Sequence, residues 1–159
     1  MNALLQGHAA SNSVANTQAL LAVDNVSLEY RTPQRVVRAT HQGSFAVDPA
    51  DRFVLLGPSG CGKTVLLRLI AGFETPDSGK ILIGDEVVAD AASSQAPLPP
   101  DKRSLGIVFQ DYAVWPHMTV FDNIAYPLKL AKVAQSEIQE RTMRVVGLVG
   151  LTGLDQRLP

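Results

Sequence analysis

Cysteine is almost absent from this 159-residue sequence, and its single cysteine, Cys61, excludes a disulfide within the chain. Structural disulfides belong to oxidising compartments, so a chain without them fits a reducing cytoplasm. An excess of charge is lacking as well, because 14 basic and 15 acidic residues leave a formal net charge of -1. Such a chain has no global field that would attract nucleic acid or an anionic membrane. We therefore expect any anionic ligand to be held by a local arrangement of groups.

Long apolar runs are also missing. The run Val65 to Ala71 is interrupted by Arg68 and is far shorter than the ~20 residues that span a bilayer. The N-terminus has no basic residue before Arg31 and no compact apolar stretch, so no secretory signal is predicted. Residues 1–18 are rich in Asn, Ala, Ser and Gln, and we predict a flexible tail there. If the protein works at a membrane, we expect it to work through a partner.

What the sequence does contain is ordinary for a globular protein, with 46% hydrophobic and 18% charged residues. Short apolar runs between turn residues predict strands. These predicted strands are Ala19–Tyr30 with a break near Asp24, Ser44–Val47, Phe53–Leu56, Lys80–Ile83 and Leu105–Phe109. The continuous apolar run Phe53–Leu56 is typical of a strand that a parallel sheet buries on both faces.

A helical pattern follows the third of these apolar runs, and helical patterns dominate the last 40 residues. Val65 to Ala71 predicts a helix that ends at Gly72. Thr119 is a predicted N-cap for a helix that reaches Leu130, with Pro127 bending or interrupting it. A further helix is predicted around Ser136, which would form a capping box with Gln139. One face of that helix is predicted to be apolar and to consist of Ile138, Thr142, Val145 and Val149.

A glycine-rich loop between the predicted strand Phe53–Leu56 and the predicted helix carries the most specific signal. Its residues are Gly57, Pro58, Ser59, Gly60, Cys61, Gly62, Lys63 and Thr64, which satisfy the phosphate-loop pattern G-x-x-x-x-G-K-[ST]. Glycines allow successive backbone N–H groups to point at phosphate oxygens, and the following helix offers its unpaired N–H groups to the same anion. Lys63 can reach the β- and γ-phosphates, and the Thr64 hydroxyl can bind Mg²⁺. The sequence therefore predicts a nucleoside triphosphate site with Mg²⁺.

The residues around this loop indicate which class of nucleotide-binding protein the sequence resembles. The loop GPSGCGKT, the stretch LLRLIAGFETPDSGKILIGD (Leu66–Asp85) and the stretch GIVFQDYAVWPHMTVFDNIAYPLKL (Gly106–Leu130) occur in this order. Together they resemble the ATP-binding subunit of ATP-binding-cassette (ABC) transporters of the importer type. The resemblance extends from about Leu20 to the end of the chain. It implies ATP and Mg²⁺ as cofactors.

The resemblance also implies roles for residues outside the loop. Gln110 is similar to the Q-loop glutamine, a catalytic residue that contacts Mg²⁺ and positions the attacking water. Tyr30 is similar to the aromatic residue that stacks on adenine. Val65 stands where the family commonly has a second hydroxyl, so one hydrogen bond to the α-phosphate is expected to be absent, worth ~1 kcal/mol.

Partners are implied in the same way. The segment Tyr112–His117 is similar to the family's contact with the membrane-spanning permease subunits, and Tyr112 and Trp115 are suitable anchors for it. A second ATP-binding subunit is expected as a dimer partner, and no nucleic acid is expected. The implied location is the cytoplasmic face of the inner membrane, with the protein bound peripherally.

We expect an α/β fold with a P-loop NTPase core, an antiparallel β portion near the N-terminus and the beginning of a helical subdomain. The expected divisions are a tail (1–18), the β portion with an incomplete ATP-binding core (19–110), and the Q-loop with the start of the helical subdomain (111–159). The family's signature sequence, acidic Walker B strand and catalytic glutamate are not in the chain, so we interpret it as an N-terminal fragment that binds ATP and whose parent hydrolyses it.

The transported substrate is left open between polyamines, iron(III), sugars and oxyanions. Two other hypotheses also stay open at this point. One is a soluble ABC ATPase that acts on nucleic acid or ribosomes. The other is a truncation product without function.

Overall fold

The computed structural model describes residues 19–159, so the predicted tail at residues 1–18 lies outside the described residues. These residues form two compact units, one ending at Ile107 and the other running from Val108 to Pro159. No helix among residues 19–159 has the length and apolar character needed to cross a bilayer.

The first unit is built on a four-stranded antiparallel sheet. Its strands are β1 (Leu21–Arg31), β2 (Val36–Val47), β3 (Ser78–Ile83) and β4 (Glu86–Asp90), in the spatial order β2-β1-β3-β4. The predicted break near Asp24 is an irregularity within one continuous strand, where Asn25 has a positive φ of 50°. The predicted strand Ser44–Val47 is the end of the longer β2.

Helix α1 (Lys63–Ala71) packs on one face of this sheet and closes the core. The helix contributes Leu66, Leu69 and Ile70 to the buried cluster. The strands contribute Val23, Val26, Leu28, Ile81, Val88 and Ala89. Gly72 ends α1 in the left-handed conformation with φ 86°, as the sequence predicts. Because α1 is fixed along its length by this core, its first residues have a defined position.

The two apolar runs Phe53–Leu56 and Leu105–Phe109 are not strands, so both predictions are wrong for the described structure. Phe53 stacks on Phe45 with ring centroids 4.6 Å apart, and Leu55 packs against the core, but Val54 is 70% exposed and Leu56 79%. A strand needs the backbone of a neighbouring strand to satisfy its N–H and C=O groups. Neither run pairs with a strand of the sheet that residues 19–159 form.

The second unit contains helices α2 (Val120–Leu130) and α3 (Gln135–Leu148). Thr119 caps α2 as predicted, and Pro127 lies inside the helix without interrupting it. The predicted capping box at Ser136 is wrong, because α3 begins at Gln135, two residues earlier than a Ser136 cap requires, and its N-cap is Ala134, which offers no side-chain acceptor.

The predicted apolar face of α3 is partly correct. Ile138 and Thr142 are buried, but the third buried residue is Val146, while Val145 and Val149 are exposed.

Candidate functional site

The loop 57–62 leads directly into α1, and its shape depends on two glycines. Gly60 and Gly62 have φ values of 78° and 96°, a region that residues with a Cβ rarely enter. At Gly62 the space is closed as well, because an added Cβ would lie 1.9 Å from the carbonyl oxygen of Ala39 on β2. The loop is therefore folded against the sheet edge in a conformation that only glycine permits at this position.

The N-terminus of α1 is open to an anion. Its N-cap is Gly62, no side chain accepts a hydrogen bond from its first turn, and no acidic residue lies in that turn. The first N–H groups of a helix have no partners within the helix, and the helix dipole places partial positive charge there. By contrast, α2 is capped by the Thr119 hydroxyl and has Asp122 in its first turn. Among the described residues, the start of α2 has a side-chain cap and an acidic residue, and the start of α1 has neither.

The Lys63 side chain lies across this loop. Its Nζ donates to the carbonyl oxygen of Gly57 at 2.7 Å and to that of Pro58 at 2.8 Å. The Sγ of Cys61 is 3.5 Å from the same nitrogen. A lysine ammonium has three protons and no acceptor, so it can exchange carbonyl oxygens for more strongly accepting phosphate oxygens. Thr64 follows it in the first turn of α1 and is exposed, and Val65 packs partly against the core.

A cavity of about 570 Å³ borders Lys63 and Thr64, and it is lined mainly by apolar side chains such as Phe45, Phe53 and Leu67. This lining has few polar groups besides those of Lys63 and Thr64, so the cavity is not the phosphate site itself. The polar face that suits phosphate is the loop with the N-terminus of α1.

Tyr30 at the end of β1 is connected to α1 through a carboxylate. Its hydroxyl donates to Oε1 of Glu74 at 3.2 Å, and the same oxygen accepts from Nε of Arg68 on α1 at 3.2 Å. Partial burial of the phenol, and then the neighbouring Glu74 carboxylate, raise the pKa of Tyr30. The Tyr30 residue is 39% exposed. Sequence reasoning did not identify Glu74, because a single acidic residue after a helix carries no pattern.

Arg103 is a second residue that the sequence did not reveal. It is buried to 2% exposure, and its guanidinium binds four carbonyl oxygens of the first unit. These acceptors are Leu69 and Ile70 at 2.8 Å, Leu98 at 2.8 Å and Val88 at 3.2 Å. Burial lowers the pKa of Arg103, yet arginine remains protonated at neutral pH. A positive charge thus caps the C-terminal carbonyls of the same helix whose N-terminus faces the loop.

Gln110 belongs to the second unit, where it lies in a turn and is exposed. The segment Tyr112–His117 follows it without regular secondary structure. Tyr112 is 86% exposed and Trp115 is 42% exposed, while the Trp115 ring packs against Tyr126 of α2 with centroids 4.6 Å apart. This unit therefore presents aromatic side chains on its surface.

A glycine-rich loop that ends in Lys-Thr and opens an uncapped helix defines the class of P-loop nucleotide-binding folds. Residues 40–159 match the family model described as ABC transporter. The chain belongs to the ABC transporter family.

Comparison with curated proteins and solved structures agrees with this assignment. The trehalose/maltose import ATP-binding protein MalK of Thermococcus litoralis is 51% identical over 123 residues, 77% of this chain and 33% of that protein. The spermidine/putrescine import ATP-binding protein PotA of Nitrosomonas eutropha is 45% identical over 138 residues, 87% of this chain and 31% of that protein. The chain thus spans about a third of the length of these relatives.

Two dimeric structures of MJ0796, described as a bacterial ABC transporter cassette, share the fold. One, in a post-hydrolysis state bound to ADP and Pi, has a TM-score of 0.73 and 20% identity. The other has a TM-score of 0.74 and 21% identity. Both matches cover 87% of this chain and 61% of the solved chain. The expected fold class, an α/β P-loop core with an antiparallel β portion, is confirmed.

Proposed function

We propose that this chain is the ATP-binding part of an ABC importer and binds Mg-ATP through the loop 57–64. The observation that carries the proposal is the start of α1, which has no side-chain cap and no acidic residue. A helix N-terminus left open above a glycine loop suits a phosphate group. The relatives named as import ATP-binding proteins support the same assignment.

Each residue of the site has a proposed task. The N–H groups of the loop and of the first turn of α1 hold the phosphates, and the Lys63 ammonium leaves the Gly57 and Pro58 carbonyls to contact the β- and γ-phosphates. The Thr64 hydroxyl is a ligand for Mg²⁺, which, when bound, neutralises charge on the phosphate oxygens. Val65 offers no hydroxyl to the α-phosphate.

Two residues outside the loop complete the proposed site. The Tyr30 ring stacks on adenine, while its hydroxyl stays with Glu74. For Gln110 we propose, from its place in the sequence alone, the role of the Q-loop glutamine, which would position Mg²⁺ and the attacking water. Hydrolysis also needs a general base, and we assign none among these residues. ATP hydrolysis is therefore proposed for the full-length protein that carries this sequence. In functional terms, residues 19–110 form the nucleotide-binding core and residues 111–159 begin a helical subdomain.

The proposed partners are membrane-spanning permease subunits and a second ATP-binding subunit. The permease contact is the segment Tyr112–His117, because exposed aromatic side chains such as Tyr112 and Trp115 are frequent anchors of protein interfaces. The dimer is supported by the dimeric cassette structures that share the fold. This arrangement places the protein peripherally on the cytoplasmic face of the inner membrane.

The transported substrate is indicated less directly than the ATP-binding role. The relatives are named for trehalose/maltose and for spermidine/putrescine import, at 51% and 45% identity. Since similar identities accompany a sugar and a polyamine, these residues do not select the cargo. We propose a small polar solute of the sugar, polyamine, iron(III) or oxyanion type, selected by an external binding protein and the permease and not by this chain.

Affinity purification of the full-length protein tests the importer assignment. We expect a membrane-spanning protein to copurify, and replacement of Trp115 by alanine to weaken that association by roughly 30-fold, the size expected for an aromatic anchor worth about 2 kcal/mol. The matched control is Leu148→Ala, which removes an exposed apolar side chain of α3 in the same unit and is expected to bind normally.

The same purification separates the alternatives. Recovery of RNA or ribosomal proteins in place of a membrane protein would contradict the importer assignment and favour a soluble ABC ATPase that acts on nucleic acid. Equal binding by wild type and the Trp115→Ala variant would show that the permease contact lies elsewhere.

A further inference from the structure

Both polar atoms of the Asn123 side-chain amide, on α2, contact one short stretch of backbone, residues 115–119. Its Oδ1 accepts from the N–H of Trp115 at 2.8 Å. Its Nδ2 shares two protons among the carbonyl oxygens of Trp115 at 3.1 Å, Met118 at 3.0 Å and Thr119 at 3.0 Å. This pattern also fixes which way the amide points, because the backbone N–H faces its oxygen and the carbonyls face its nitrogen. One side chain thus spans the turn 115–119.

Apart from the contacts of Thr119 as the N-cap of α2, little else in the second unit fixes the conformation of this turn. Residues 115–119 lie in neither a helix nor a strand, and one backbone bond, from Met118 N–H to Trp115 O at 3.1 Å, closes the turn. The Trp115 ring packs on Tyr126, three residues after Asn123 and therefore on the same face of α2. A single helix face thus holds both the backbone and the ring of Trp115.

The Asn123 amide is not needed to begin α2. The Thr119 hydroxyl accepts from the N–H of Asp122 at 3.1 Å. The N–H groups of Val120 and Phe121 donate to the carbonyls of Arg157 and Asp155, both at 2.8 Å. Asn123 itself donates its backbone N–H to Thr119 O at 2.9 Å. Since the first turn of α2 is satisfied without the Asn123 side chain, that side chain is free to serve the turn 115–119.

We propose that Asn123 is a positioning residue that holds Trp115 in the orientation in which it contacts the membrane-spanning partner. This inference rests on the proposed function, which places the permease contact at Tyr112–His117. Trp115 is 42% exposed although its ring packs on Tyr126, so a partner can reach it without displacing the ring. A turn that is ordered before binding loses less conformational entropy on association, so its affinity is higher.

The test uses the full-length protein and the membrane-spanning partner recovered with it. Asn123→Ala removes all four hydrogen bonds, and we expect the dissociation constant for the partner to rise about tenfold. Asn123→Asp keeps an acceptor for the Trp115 N–H but sets a carboxylate against three carbonyls, so it is expected to weaken binding at least as much. Lys129→Ala is the matched control on the same helix, since the contact it loses is an ion pair with Asp122 at 2.7 Å.

A second readout separates positioning from general destabilisation. Trp115 is the single tryptophan of this sequence, and subtracting the emission of a Trp115→Phe variant isolates its fluorescence in the full-length protein. We expect acrylamide to quench Trp115 more strongly in both Asn123 variants, because the ring is no longer held on Tyr126. Lys129→Ala is expected to match wild type in quenching and in partner affinity.

The outcomes distinguish this inference from the function on which it rests. Normal partner affinity in the Asn123 variants, while Trp115→Ala binds poorly, overturns the positioning role and leaves the permease contact in place. A loss of affinity without any change in Trp115 quenching overturns it too. Normal affinity in the Trp115→Ala and Asn123 variants alike shows that the proposed contact surface is wrong, and the positioning role is overturned with it.

Discussion

Replacing Lys63 by alanine is expected to raise the dissociation constant for Mg-ATP about 30- to 100-fold. A hydrogen bond to a charged group contributes about 1.5–3 kcal/mol, and a loss of about 2–2.7 kcal/mol, within that range, corresponds to this change in affinity. The fold should tolerate the change, because the carbonyls of Gly57 and Pro58, which Lys63 contacts in the structure, belong to exposed residues that water can reach. Calorimetric titration of the full-length protein measures this affinity directly.

The matched control for Lys63 is Lys80→Ala, which removes the same charge from the same unit. Lys80 lies on β3, with its Nζ 3.8 Å from a carboxylate oxygen of Asp24, a weak surface pair. We expect its ATP affinity to stay within about twofold of wild type, since Lys80 lies on β3 outside the loop and a partly exposed charge is screened by solvent and salt. Equal losses in the two variants would mean that Lys63 acts only through its charge.

Replacing Arg103 by methionine is expected to destabilise the full-length protein by about 3–4 kcal/mol. Methionine fills part of the same space but leaves the carbonyls of Leu69, Ile70, Val88 and Leu98 without the guanidinium that binds them. The carbonyls of Leu69 and Val88 keep their bonds from the N–H groups of Gly72 and Leu98, so the main loss is at Ile70 and Leu98. A buried acceptor that loses its partner costs about 1–3 kcal/mol. The midpoint of urea unfolding, with its slope, measures the loss.

Arg103→Lys tests whether the planar guanidinium is required. Lysine keeps the positive charge near the C-terminus of α1 but cannot bind four carbonyls from one plane. We expect it to recover roughly half of the lost stability. The account of Arg103 is wrong if the methionine variant unfolds within about 0.5 kcal/mol of wild type, the range of an ordinary surface substitution.

Local signals in the sequence were sufficient for the elements closest to the candidate site. The pattern of glycines with Lys-Thr predicted the loop, and Gly72 predicted the end of α1, because both depend on backbone conformations that glycine alone adopts easily. The Thr119 cap was also predicted from local chemistry. Whether the predicted residues act on ATP as proposed is a matter for the experiments above.

Strand predictions failed where they depended on distant neighbours. The run Phe53–Leu56 has the composition of a buried strand, but composition does not reveal whether another strand lies beside it. Leu105–Phe109 failed for the same reason. The opposite error occurred at β4, where Gly84-Asp85 is a two-residue hairpin turn between Ile83 and Glu86. That dipeptide, followed by Val87 and Val88, is typical of a hairpin, and the sequence analysis did not predict strand β4.

Three residues that hold other parts of the structure in place, without a proposed contact to a ligand, could not be predicted. Glu74, Arg103 and Asn123 act through backbone carbonyls or single side chains brought near by folding. Most arginines are exposed, so a single arginine after a proline-rich loop is expected on the surface. Only its burial in the folded structure distinguishes Arg103. Tyr30 and Glu74 are 44 residues apart and Arg103 and Leu69 are 34 apart, so no local pattern records these contacts. The contacts of Asn123 lie within 8 residues along the chain, but an asparagine inside a helix carries no pattern of its own.

The central claim is that the loop 57–64 recognises a triphosphate with its metal ion. Its most direct test is calorimetric titration of the wild-type full-length protein with ATP and with AMP, each in the presence of Mg²⁺. AMP carries the adenine but lacks the β- and γ-phosphates that Lys63, the loop N–H groups and Mg²⁺ are proposed to hold. We predict that ATP binds at least about 100-fold more tightly than AMP. Equal affinities would contradict the account.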